Sequence, residues 1–120
     1  MKSKSGSAAS PAQNEVWEVN LNPTAGREQA GIRPALIISH DSLNRSPRDL
    51  VIVAPITATI RGFPTHVPIK PPEGGLTKPS VVMTENVRSV SKSRLIRRLG
   101  VVSAGTMNQV KQILRIVLDL

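Results

Sequence analysis

The 120-residue chain contains no cysteine and no tyrosine, and only one tryptophan, one phenylalanine and two histidines. The lack of cysteine excludes disulfides, a thiolate nucleophile and any Cys-based zinc site, and is compatible with a reducing cytoplasm. Neither histidine is paired with acids at metal-ligand spacing, so no metal centre and no cofactor are expected. With so few aromatics, Val, Ile and Leu must fill the core, and the interleaved aromatic residues of a base-stacking platform are missing. No apolar run approaches the roughly 20 residues that span a bilayer. Met1–Asn14 is rich in Ser, Ala and Lys and lacks the apolar stretch of a signal peptide. It is expected to be a disordered leader or a non-native remnant, leaving residues 15–120 as a single domain.

Charge is what the chain has in excess. Sixteen Lys and Arg face eight Asp and Glu, for a net charge of +8, and mean hydropathy is near zero at -0.08. The excess is uneven, because residues 61–120 hold ten bases against three acids. Arg88, Lys92, Arg94, Arg97 and Arg98 follow one another with no acid between them. Such a field favours a polyanionic partner, although a merely solubilising basic face has the same composition.

The hydrophobic pattern is mostly of period two. Glu15–Leu21 alternates, with Trp17, Val19 and Leu21 on one face, as in a half-buried strand. Pro23 and Gly26 end it, and a polar loop reaches Ile32 before a second strand over Pro34–Ser39. His40–Asp49 reads as loop, and Leu50–Thr57 as a β-branched central strand with Pro55 near its end. Shorter strands are expected over Thr65–Ile69, Ser80–Glu85, Val87–Ser91 and Arg94–Gly100, with Lys70–Pro79 an exposed Pro/Gly loop. The end changes period: Met107, Val110, Ile113, Leu114, Val117 and Leu118 recur at helical spacing. This predicts an amphipathic helix over Ala104–Leu118, N-capped by Ser103 and packed on the sheet. The pattern as a whole predicts a mainly β domain with a terminal α-helix, a small antiparallel barrel closed enough to protect its edges.

Several blocks carry a more specific signal. Leu21–Gly31 followed by Arg33–Ser39 resembles the opening of MazF/PemK-type toxins, the toxins of type II toxin–antitoxin systems. The resemblance continues through Val53–Thr57, Gly62–Val67, Leu76, Ser80–Val82, Glu85, Val87–Arg88, Lys92–Leu95 and the terminal helix, covering about residues 15–120. One departure lies at the entry to the first strand, where Asn14-Glu15 replaces a Gly-Asp pair common in the family. The resemblance implies an SH3-like barrel of PemK/CcdB type and a cytoplasmic homodimer that cuts single-stranded RNA at short base motifs without metal. It also implies a cognate antitoxin whose acidic C-terminal tail occludes the site. The family's two recurrent catalytic positions fall on Arg33 and Thr57, and Glu28 and Gln29 border its RNA groove.

These residue types suit the chemistry. RNA breaks when its own 2′-OH attacks the adjacent phosphorus, so the protein must align the backbone, stabilise added charge and move two protons. Arg33 offers forked donors that match two phosphate oxygens, and Thr57 offers a hydroxyl for a nonbridging or leaving oxygen. Arg33 stays protonated, so proton abstraction falls elsewhere. Glu28 serves if burial raises its pKa, or else it orients Arg33. His40 and His66 are expected to be bystanders. Gln29, Arg61, Arg88, Lys92 and Arg94 are expected to contact RNA, the last three by tracking the strand across the dimer groove. Two other functions stay open: a toxin of the same fold that poisons DNA gyrase by binding, and a non-catalytic RNA-binding module.

Overall fold

The computed structural model describes residues 10–22 and 30–120. Seven strands run β1 (Glu15–Asn20), β2 (Ile32–Ile37), β3 (Val51–Thr57), β4 (His66–Ile69), β5 (Ser80–Met83), β6 (Arg88–Val90) and β7 (Leu95–Val101). Helix α1 spans Asp41–Asn44 and helix α2 spans Ala104–Leu118. The strands form one antiparallel sheet in the order β4-β5-β3-β2-β1-β7, with β6 also pairing β3. The sheet is not closed, because β4 and β7 end the order, so edge protection is less complete than the sequence suggested.

The sheet is buried on both sides. On one side α2 sets Met107, Val110 and Leu114 against Val16, Leu36, Ala54, Ile56 and Val82. On the other, Trp17, Val19 and Leu21 form the expected stripe and pack with Ala35, Ile37, Val53, Val90 and Leu95. Leu36, Ile37 and Ile56 are within 1% of complete burial, each worth roughly 1.5–3 kcal/mol of apolar transfer. The Ser103 hydroxyl caps α2 as predicted, accepting the Thr106 amide at 3.1 Å.

Four local expectations are corrected. Residues 40–49 contain the one-turn helix α1, capped by His40 Nδ1, which accepts the Ser42 amide at 3.0 Å, and pinned by the buried Asn44. The 70–79 stretch is not simply exposed, since it makes a 3₁₀ turn over Glu73–Gly75 whose Gly74 and Leu76 are buried. Gly75, at φ +70°, lies so near the Leu99 carbonyl that a Cβ would stand 2.0 Å from its oxygen, so only glycine fits. The second strand starts at Ile32 rather than Pro34, and the fifth ends at Met83 in a 3₁₀ turn over Thr84–Asn86.

The described residues before Glu15 also make contacts with the domain. The Gln13 amide donates to Asp41 and its side chain to the Ile38 carbonyl, both at 2.8 Å, while Ala12 N–H donates to Glu15 Oε1 at 2.8 Å. Asn14 takes φ 80°, a left-handed conformation that Asn tolerates better than most residues. Glu15 Oε1 also accepts the Trp17 indole N–H at 3.0 Å, fixing the entry to β1.

Candidate RNA-binding and cleavage site

The site forms where two neighbouring strands part. β2 and β3 pair as Ala35 with Pro55, Leu36 with Ala54 and Ile37 with Val53. Continuing that register would set Arg33 opposite Thr57, but pairing stops at Ala35, next to two prolines that donate no ladder hydrogen bond. The ladder therefore opens at the level of Arg33 and Thr57, and both side chains line one cavity of about 460 Å³.

Each of the two is held in a useful pose. Arg33 Nε donates to the Ala30 carbonyl at 3.1 Å, and among the described residues no hydrogen bond occupies its two terminal nitrogens. Such a fork fits two oxygens of one phosphate. The Thr57 oxygen accepts the Thr59 amide at 3.1 Å, which leaves its hydroxyl hydrogen free to donate into the cavity. The chain reaching Arg33 is closed at its base by Leu21 N–H to the Gly31 carbonyl and Gly31 N–H to the Asn22 side chain, both 2.9 Å.

The opposite wall comes from the 58–66 segment and the turn after β5, and contributes Arg61, Phe63, His66, Glu85 and Asn86. His66 pairs with Met83 across the β4–β5 ladder, bringing its imidazole to the turn that carries Glu85. His66 Nε2 lies 2.9 Å from Glu85 Oε2, and the Thr65 hydroxyl donates to Glu85 Oε1 at 2.8 Å. Partial burial raises the Glu85 pKa, but hydrogen bonds from Thr65, its own amide and His66 outweigh it and hold the carboxyl below its usual 4.5. The Phe63 ring meets His66 edge-on at 5.1 Å.

Of the residues singled out in the sequence, the cavity unites Arg33, Thr57 and Arg61. Glu28 and Gln29 lie outside the described residues. Arg88, Lys92 and Arg94 do not line it. Arg88 and Arg94 donate to the Leu21 and Asn20 carbonyls at 3.3 and 3.4 Å, and Lys92 to the Ser46 carbonyl at 3.0 Å. His66, expected to be a bystander, is in the wall, whereas His40 caps α1. Phe63 and Glu85 received no role from the sequence. Both stand inside the family-like blocks, the one signal that could have raised them. Among the described residues no three His, Asp or Glu side chains gather to hold a metal ion, and no helix is long and apolar enough to cross a membrane.

Fold and cavity together define a small basic β-domain whose cavity gathers forked cationic donors and a hydroxyl, a set suited to a phosphate. The chain belongs to the family of PemK-like, MazF-like toxins of type II toxin–antitoxin systems, which its residues 12–118 match. It is 34% identical over 113 residues to the endoribonuclease MazF9 of Mycobacterium tuberculosis, covering 90% of this chain and 96% of that protein. Its fold is similar to that of MazF from Deinococcus radiodurans (TM-score 0.82, 28% identity, 93% of this chain and 99% of that one). It is also similar to a mycobacterial endoribonuclease solved in complex with its cognate antitoxin (TM-score 0.76, 30% identity, 92% and 96% covered).

Proposed function

We propose that this chain is the toxin of a type II toxin–antitoxin pair, an endoribonuclease that cuts single-stranded RNA at short base motifs in the cytoplasm without a metal ion. The observation that carries it is the opening of the β2–β3 ladder, which puts Arg33 and Thr57 in one cavity of a strongly basic chain. In the reaction the RNA's 2′-oxygen bonds to phosphorus, the bond from phosphorus to the 5′-oxygen breaks, and a 2′,3′-cyclic phosphate and a 5′-hydroxyl result. One proton leaves the attacking hydroxyl and one reaches the departing oxygen. Arg33 places its fork on the nonbridging oxygens, where preorganised charge is worth most as negative charge accumulates. Thr57 donates to the same phosphate, and Arg61 holds a neighbouring one. Glu28 and Gln29 lie next along the chain and are proposed to border the same groove.

The chain acts as a homodimer, and the basic groove that attracts RNA also accepts the acidic C-terminal tail of a cognate antitoxin, which inhibits by occupying the site. The test is digestion of a long single-stranded RNA by the purified chain in excess EDTA, followed by end mapping. Cuts at a short recurrent motif bearing cyclic phosphate ends are expected. RNA left whole, with gyrase trapped on DNA instead, would remove the nuclease function.

A further inference from the structure

On the footing of the nuclease function proposed above, we infer that Phe63 and Glu85 form a nucleobase subsite, in which a base stacks on Phe63 and its amino group donates to the Glu85 carboxylate. An ionised carboxylate in the wall of a cavity that must admit phosphates needs a physical reason, because it repels them. Glu85 is too well stabilised as an anion to make a good proton acceptor: Thr65 and His66 each hold one of its oxygens. A carboxylate has about four acceptor positions, so about one remains after the bonds from Thr65, His66 and its own amide. What suits it is an N–H donor without negative charge, and the amino edge of a base supplies one.

The wall is layered so as to aim this group. The His66 side chain is only 4% exposed and sits behind the Glu85 side chain, which is 37% exposed. With Nε2 turned to Glu85, His66 leaves its buried Nδ1 without a partner, so its polar contact in the site goes entirely to Glu85. Phe63 is the chain's only phenylalanine and is half exposed at 51%, while the single tryptophan is buried in the core. Its ring meets the same imidazole edge-on at 5.1 Å, so the stacking face and the carboxylate share His66 as a neighbour in one cavity wall. A planar base stacked on the ring presents its polar edge to the carboxylate, and stacking on an aromatic face is indifferent to which base it is.

Selection therefore falls to Glu85. Cytosine, adenine and guanine each present an amino group, and guanine adds a neighbouring N1–H. Uracil presents carbonyl oxygens on both sides of its N3–H, and these repel the carboxylate. Arg33 and Arg61 in the same cavity take the phosphates, so the site divides backbone holding from base selection between residues of opposite charge.

The experiment is end mapping of one long RNA digested by the wild type, by Glu85→Gln and by Thr65→Val, each profile normalised to that enzyme's own best site. In the wild type one motif position should admit amino-bearing bases over uracil by about tenfold or more. In Glu85→Gln, whose carboxamide both donates and accepts, that ratio should collapse toward unity. Thr65→Val keeps the carboxylate but removes one group aiming it, and should blur the same position. It decides the matter if Glu85→Gln makes no cuts. A motif with uracil at every selective position, or variant profiles that superimpose on the wild type, overturns the subsite and leaves the nuclease intact. A wild type that cuts nothing overturns the nuclease function itself.

Discussion

Two sets of cations in this small domain have different surroundings. Arg97 and Arg98, at the end of the basic run, are tied across the β1–β7 ladder to Glu18 and Glu15 at 3.2 and 2.8 Å. Arg88, Arg94 and Lys92 spend hydrogen bonds on backbone carbonyls, and Asp49 accepts both the Lys92 amide and the Ser91 hydroxyl. Arg33 and Arg61 make no ion pair with any described residue, and both line the cavity. A charge is available to a ligand only to the extent that its donors are not already engaged. The most basic stretch of sequence thus also ties strands and loops together, and the cations that face the cavity come from sparser regions.

Substitution of Arg33 should show the contrast most strongly. Arg33→Ala should lower the cleavage rate on single-stranded RNA by about 10²–10³-fold, the cost of removing one preorganised donor from a charge-building step. Arg97→Ala should change it less than about twofold, since an exposed ion pair contributes little. Arg33→Lys should recover only part of the loss, because an ammonium lacks the fork. Equal losses for Arg33→Ala and Arg97→Ala in a single-turnover assay would erase the distinction.

Thr57→Val keeps shape and removes the hydroxyl. A hydrogen bond to a charged group is worth about 1.5–3 kcal/mol, so cleavage should slow roughly ten- to hundredfold. Because the methyl of valine fits the same strand position, the thermal unfolding midpoint should barely move. A variant that is destabilised but cuts at the normal rate would return Thr57 to the role of strand former.

Salt dependence gives the next and milder test. A cation on a single-strand phosphate contributes about 0.7 to the slope of log affinity against log salt. Arg61→Gln should flatten the slope by about that much, whereas Arg98→Gln should leave it unchanged. The reverse result would locate the RNA on β7 rather than at the β2–β3 opening.

How far this site was legible depended on sequence distance. The Trp17, Val19, Leu21 stripe and the Ser103-capped helix were readable because period and cap are local. Helix α1 was not, because four residues are too few to show a period and His40 is an uncommon cap. Arg33 and Thr57 stood out only through the family-like blocks, since their meeting depends on a ladder between segments 24 positions apart. The His66–Glu85 pair is likewise made by the β4–β5 register, which composition cannot specify. The basic run looked acid-free because Glu18 and Glu15, the ion-pair partners of Arg97 and Arg98, lie on another strand. In the 70–79 stretch, prolines and glycines announced a turn but gave no sign that Gly75 would pack against Leu99.

The smallest effect is expected from an acid outside the cavity. Burial raises the Glu73 pKa, but the Ser103 amide, donating at 2.8 Å, and the hydroxyls of Thr106 and Ser103 more than offset it, so the carboxyl titrates below its usual 4.5. A carboxylate with a depressed folded-state pKa stabilises the protein above its unfolded value, and that contribution disappears as pH falls through the folded one. Glu73→Gln should therefore cost under about 1 kcal/mol in urea unfolding at neutral pH, as for a screened surface interaction. Below pH 4.5 the variant and wild-type stabilities should converge. Because Glu73 ties the 3₁₀ turn to the start of α2 and lines no part of the cavity, cleavage at neutral pH should be unaltered. A gap between the two proteins that widens in acid would mean that Glu73 is held against its charge rather than for it.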